Sequence, residues 1–330
     1  MKHVTMLASL IGFSISGGAC WAADPPPLVV EGKMALGHVS GRIDHFAIDT
    51  DRRLLFVAEL GNDSVGIIDL KEGKVLRRLT GLREPQGVAF HEPTRTLYVA
   101  NAGDGSVRLY QGPDFAPAGS IPLGADADNV RIDLQRNRVV VGYGNGALAL
   151  IDPASRKKVG DISLKGHPES FQLDETGSRI FVNVPDARQI AVVDVGAGRQ
   201  ISTLDTTGAR SNFPMAFDAE LHRLVVAFRS PNRLMIFDTK SGKQEASLDT
   251  CGDADDVFFD GHRHRIYVSC GEGVIDVLAA IGNGYRAIAD IPTVTGARTS
   301  LFAPALDRLY LGVRATPTQP AAIWVLRPQP

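Results

Sequence analysis

Cysteine is scarce in this chain: three residues in 330, namely Cys20, Cys251 and Cys270. That excludes a four-thiolate metal centre, and no CxxCH is present to attach haem covalently. GxSxG and HExxH are both missing, which removes the nucleophile-elbow hydrolases and the helical zinc peptidases. An excess of one charge is lacking too. The net charge is −2 and no run of like charges occurs, so nothing fits nucleic acid or an anionic membrane surface. Beyond the N-terminal segment, no stretch approaches the ~20 apolar residues of a membrane-spanning helix. Nor does any stretch keep a 3.6-residue hydrophobic period for more than one turn, so helical fold classes drop out.

What is there repeats. The phrase LLFVAE at 54–59 returns as TLYVAN at 96–101, RVVVGY at 138–143 and RIFVNV at 179–184. It returns again as RLVVAF at 223–228, RIYVSC at 265–270 and RLYLGV at 308–313. The spacing is 41 to 44 residues, a period that signals a repeat architecture. Each unit reads as four short strands. In the second unit GVAFH (87–91), TLYVAN, SVRLY (106–110) and AGSIPL (118–123) are β-branched and aromatic runs bounded by turn residues. The expected fold is all-β: a seven-bladed β-propeller of four-stranded blades. The last unit has one strand, 322–326, after its phrase and so lacks a fourth. The segment 28–36 (LVVEGKMAL) stands unpartnered before the first unit. The simplest closure adds this N-terminal strand to blade seven, making residues 28–330 one domain of a monomer.

Several units carry two apolar residues and an Asp in the third strand: Ile67-Ile68-Asp69, Leu150-Ile151-Asp152, Val192-Val193-Asp194 and Ile236-Phe237-Asp238. A turn and a basic residue follow, as in Glu72-Gly73-Lys74, Arg156-Lys157 and Gly242-Lys243. With TLYVAN at 96–101, this pattern resembles the YVTN-type β-propeller repeat family over about residues 38–328. It departs from the family at Tyr110, Ala279 and Leu326, where the Asp is missing and different turns are expected. The resemblance implies a propeller and an exported protein; it implies no particular reaction.

Residues 1–22 read as a secretory signal. Lys2 and His3 precede an apolar run from Val4 to Ile15, and Cys20-Trp21-Ala22 offers small residues around a cut after Ala22. Cleavage before Cys20 with lipidation of its thiol is the alternative, since Gly17-Gly18-Ala19-Cys20 resembles a lipobox without its usual Leu. Residues 23–27, ending Pro25-Pro26-Pro27, then form a stiff spacer. The expected location is periplasmic or secreted. In an oxidising compartment Cys251 and Cys270, which flank the same hairpin end, should form a disulfide closing a loop of about 20 residues.

Superposing the seven units exposes the positions that do not repeat. Phe46, Val88, Val130, Phe171, Met215, Val257 and Leu301 share one core slot of the innermost strand. The slot two before it holds Asp44, Gln86, Asp128, Glu169, Phe213, Asp255 and Thr299. The slot one before it holds His45, Gly87, Asn129, Ser170, Pro214, Asp256 and Ser300. In a propeller these cluster at one mouth of the central channel. Four carboxylates in one ring repel, so nearby bases, protonation or a bound cation must offset them. Arg42, Arg298, His167 and Arg210 are the candidate bases.

A hard cation, Ca²⁺ first, would draw oxygens from Asp44, Asp128, Asn129, Glu169 and Asp255; a His among carboxylates suits a transition metal instead. An organic cation or other small polar ligand would meet Asp44, His45, Gln86, Asp128, Asn129, Glu169, Asp255, Asp256 and Arg298. Three function classes remain: a binding protein or interaction scaffold using the mouth and its loops, a metal-dependent hydrolase, or a purely structural envelope protein. For the hydrolase, His45 or Glu169 is the candidate general base. That layout resembles the six-bladed propeller lactonases, which hold a calcium ion in the channel, although the blade count differs and no motif is shared. Gly142 to Gly146 (GYGNG) reads as a hairpin turn rather than a phosphate loop, and His262-Arg263-His264 as a solvated turn.

Overall fold

The computed structural model describes Met1, residues 25–282 and residues 284–330. The leader and the Cys20 alternative rest on residues 2–22 and lie outside the described residues. Seven antiparallel four-stranded sheets form the ring. Blade one, from the inside outwards, is Phe46–Asp49, Leu54–Glu59, Ser64–Asp69 and Lys74–Thr80. Among the described residues the helical content is four single 3-10 turns, and no helix is long and apolar enough to cross a membrane.

Every residue of Leu54–Glu59 and of Thr96–Asn101 is buried. These second strands have both faces covered by neighbouring blades, so they read as continuous apolar runs rather than as alternation. That is why the phrase repeats so faithfully. The outer strands meet water, and Lys74–Thr80 is mostly exposed. The apolar core is divided among the spaces between adjacent sheets. Phe56 of blade one, for example, meets Phe90 and Phe115 of blade two at ring separations of 5.6 and 5.1 Å.

The third-strand Asp has a local task. Asp69 Oδ1 accepts hydrogen bonds from the amides of Lys71 (2.8 Å) and Glu72 (3.0 Å), and Asp152, Asp194 and Asp238 hold their turns alike. A carboxylate here pre-forms the turn into the fourth strand. In blade two the register places Gln111, not Tyr110 as expected, at this position, and the turn is a different one, closed by Phe115 N–H to the Gly112 carbonyl. The 142–146 segment is the hairpin between Arg138–Tyr143 and Ala147–Asp152, as expected. In the 262–264 turn Arg263 bridges Asp260 and Asp307, so its charge is already neutralised.

Blade seven is closed from the other end of the chain. Ser300–Ala303, Arg308–Val313 and Ala321–Pro328 are joined on the outside by Leu28–Gly37, which pairs from Leu28↔Pro328 to Gly37↔Ala321. Leu28, Met34 and Leu36 are buried there. The residues flanking this closing strand pair then meet: the Gln329 amide donates to the Pro27 carbonyl (2.9 Å), and the Arg265 guanidinium reaches the carbonyl oxygens of Gln329 and Pro330. Cys251 and Cys270 are bonded, with Cα atoms 5.9 Å apart.

Candidate functional site

The two variable slots sit where the innermost strands lose register with the second strands. The pairing breaks between Pro85 and Val88, Ala127 and Val130, Asn212 and Met215, and Ala254 and Asp256. Such a bulge adds a residue to one strand and turns its side chains out of the pleat. The strand that packs the core below therefore presents polar side chains above. Gly87 is required by the same crowding: a Cβ there would lie 1.9 Å from the Asp128 carbonyl oxygen, because the inner strands of blades two and three approach so closely.

Above these bulges lies a cavity of about 250 Å³, and nine of its thirteen lining residues are ionisable. Of the candidate site residues, His45, Gln86, Asp128, Asn129, Glu169, Asp255 and Arg298 line it. Two expected members do not. Asp44 is buried behind the wall at 1% exposure, and Asp256 lines the channel beneath, with His45 between the two spaces.

The charges divide into two unlike halves. On one side Asp255 is clamped by two guanidiniums. Arg229 Nη2 donates to Asp255 Oδ1, while Arg298 Nε lies 3.0 Å from Asp255 Oδ2 as an ion pair off the line of a hydrogen bond. Arg298 Nη1 also donates to both oxygens of Asp253, at 2.6 and 2.7 Å. Arg229 lies 4.0 Å above the Phe213 ring, so the one aromatic among the slot residues is a platform for a cation. Arg42 lies 2.8 Å from Asp44. Burial raises the Asp44 pKa; His45 and Arg42 pull it back without offsetting the burial, and Asp128 and Asp255 add a smaller repulsion.

Arg210 does not join in, contrary to expectation: among the described residues its guanidinium reaches only the Ser230 hydroxyl, at 3.4 Å, away from the cavity. Arg229 was missed. It holds the position just after the repeated phrase, where four other units carry Ala102, Gly144, Pro185 and Gly271, and comparison of that slot finds it.

On the other side, among the described residues, no guanidinium comes within ion-pair distance of the acids, and Arg131 acts on Asp128 only over a longer range. Asp128, His167 and Glu169 each bring a ligating atom within 4.8 Å of the others, with Asp126 beside them. His167 Nδ1 contacts the Gly144 carbonyl at 2.6 Å, and its Nε2 lies 3.8 Å from Asp128 Oδ2. Burial opposes charge on this imidazole, but Asp128, the Gly144 carbonyl and Asp126 outweigh it and lift its pKa to about 9. Glu169 is pushed up to about 8, first by burial and then by repulsion from Asp128 and Asp255.

His45 is placed between carboxylates, with Nε2 3.6 Å from Asp44 and Nδ1 3.9 Å from Asp256. Burial lowers its affinity for a proton, yet Asp44, Asp256 and Asp128 raise it further. Asp256 accepts a 2.7 Å bond from the Ser300 amide and is pushed up to about 7 by burial, His45 and Asp255 acting against each other. The sequence-derived cation set of Asp44, Asp128, Asn129, Glu169 and Asp255 is thus split: the structure gives Asp44 and Asp255 to arginines and brings Asp128 and Glu169 to a histidine.

No known family model matches the chain, and no curated protein sequence does. Solved structures do. A chain described as Kuenenia stuttgartiensis hydrazine synthase superposes with a TM-score of 0.73 at 17% identity, covering 83% of this chain and 94% of that one. A chain of a mitotic checkpoint complex superposes with a TM-score of 0.74 at 13% identity, covering 98% of each. At such identities the likeness establishes the shared fold alone.

Proposed function

We propose that this protein is an exported binding protein that takes a small polar ligand into the mouth of its propeller. One observation carries the reading. Nine ionisable side chains gather around one cavity of about 250 Å³ at the channel mouth. Burying such groups costs stability and gives a ring-shaped scaffold nothing in return, so a purely structural role leaves the cavity unexplained. The volume lies below the ~300 Å³ at which drug-sized ligands begin to fit, so the ligand is small. Its chemistry must satisfy an arginine–carboxylate wall on one side and a histidine–carboxylate wall on the other. Propeller loops around the mouth serve a protein partner in the alternative form of the same reading.

The Cys251–Cys270 bond supports export to an oxidising compartment. The Asp-capped turns before the fourth strands support kinship with the YVTN-type repeat family. The test is a thermal-shift screen of the intact mature chain against amino acids, polyols, dicarboxylates and polyamines. At least one compound should raise the melting temperature of the parent and fail to do so in Gln86→Leu and Glu169→Gln. If none does, and native mass spectrometry of protein from its source finds no small molecule carried along, the reading fails.

A further inference from the structure

We propose that Asp128, His167 and Glu169 form a binding site for one divalent first-row transition metal ion, of the Mn²⁺ to Zn²⁺ class rather than Ca²⁺. The inference rests on the mouth being the binding site. Three observations lead to it. The first is the orientation of His167. Its Nδ1 donates to the Gly144 carbonyl at 2.6 Å, so Nε2 is the nitrogen that faces the carboxylates and would bind a metal ion that displaces its proton. At 3.8 Å from Asp128, Nε2 has no hydrogen bond to that oxygen. A backbone carbonyl holding the far nitrogen of a ligating histidine is the usual outer-shell arrangement at protein metal sites.

The second is spacing. The three ligating atoms lie within 4.8 Å of one another. Ligands about 2.1 Å from a metal stand roughly 3 Å apart, so side-chain rotations of an ångström or two close the set. The third is Asn129. It lines the same cavity at 1% exposure, and its Oδ1 has no hydrogen-bond partner. A buried amide oxygen without a partner is costly unless something else completes it, and a cation is such a partner. The donor set decides the metal. One imidazole nitrogen with carboxylate oxygens suits a transition ion, whereas Ca²⁺ calls for six to eight oxygens. Asp44 and Asp255, which would have completed an all-oxygen set, are held by Arg42, Arg229 and Arg298.

The experiment is isothermal titration of the tag-free, EDTA-treated and dialysed mature chain with Mn²⁺, Co²⁺, Zn²⁺ and Ca²⁺ in turn. One equivalent of a transition ion should bind, with Ca²⁺ at least tenfold weaker. His167→Ala, Asp128→Asn and Glu169→Gln should each weaken binding tenfold or more. A variant that unfolds is replaced by a readout on the parent: Co²⁺ should give d–d absorption and broaden the His167 imidazole signal in NMR. Absence of stoichiometric binding, a preference for Ca²⁺, binding unchanged by all three variants, or an unbroadened His167 signal would each overturn the proposal. The organic-ligand screen is scored separately. A compound that binds while no metal does leaves the mouth reading standing and removes only the metal.

Discussion

Removing residues 28–37 should open the ring, and the structure sets the size of the effect. Leu28, Met34 and Leu36 are 2%, 7% and 0% exposed, each packed into the last blade or its neighbours. Burying such side chains contributes about 1.5–3 kcal/mol apiece, so their loss alone approaches the 5–15 kcal/mol that holds a typical domain folded. The deletion also strips the Ala321–Pro328 strand of its outer partner and leaves a row of unpaired amides on an open edge. A milder variant grades the claim: Leu36→Ala should cost roughly 2–5 kcal/mol as a cavity in that cluster. In a chain beginning after residue 22, Trp324 is the single tryptophan. It lies on the strand that 28–37 covers, with Lys33 Nζ 3.9 Å from its ring centre. Urea denaturation followed by its fluorescence therefore reports on closure directly. The expected result is loss of a cooperative transition in the deletion, and in Leu36→Ala a lower midpoint with an unchanged slope. A deletion that unfolds cooperatively at the parent's midpoint, with unaltered Trp324 emission, would refute the reasoning.

Two further outcomes are expected. Replacing Cys251 and Cys270 by serine should cost about 3 kcal/mol on the chain-entropy account for their sequence separation of 19; thiol titration of denatured, unreduced parent should find neither cysteine free. Asp256 supplies a pH test. Its carboxyl is raised to about 7 in the fold, mainly by burial, so the folded state binds the proton more tightly than the unfolded chain does. That contribution is complete below the ordinary carboxylate range and is lost as the pH rises through about 7. Between pH 5 and 8 the parent should therefore lose on the order of a few kcal/mol relative to Asp256→Asn. Equal pH dependence in both proteins by denaturant titration would exclude this cause.

The ring was legible in the sequence because its evidence is local and sevenfold. Apolar residues buried on both faces of the second strand repeat at fixed spacing, and an unpaired strand at each end points to the closure. The mouth was legible only as a place. Repeat comparison finds Asp44, Asp128, Glu169 and Asp255 because they break the pattern, yet it cannot say which charge faces which. Those pairings follow from the angle between blades and from bulges such as that between Ala127 and Val130, neither of which has a sequence signature. Thus Phe213, which resembles a lapse in a polar ring, turns out to support Arg229. Arg210, adjacent in sequence to the slots, points away. His167 was read only as a base for neighbouring acids, because nothing in the chain announces that the Gly144 carbonyl fixes its ring.

The meeting of Pro27 with Gln329 has one more implication. A propeller whose first and last strands pair with each other, in a ring whose sheets are all alike, has no privileged starting point. A short linker across that junction and a new opening in an exposed outer hairpin, such as Asp69–Lys74, would give a circular permutant with the same blades and the same mouth. What fixes the cavity is the order of residues around the circle, not the place where the circle is cut.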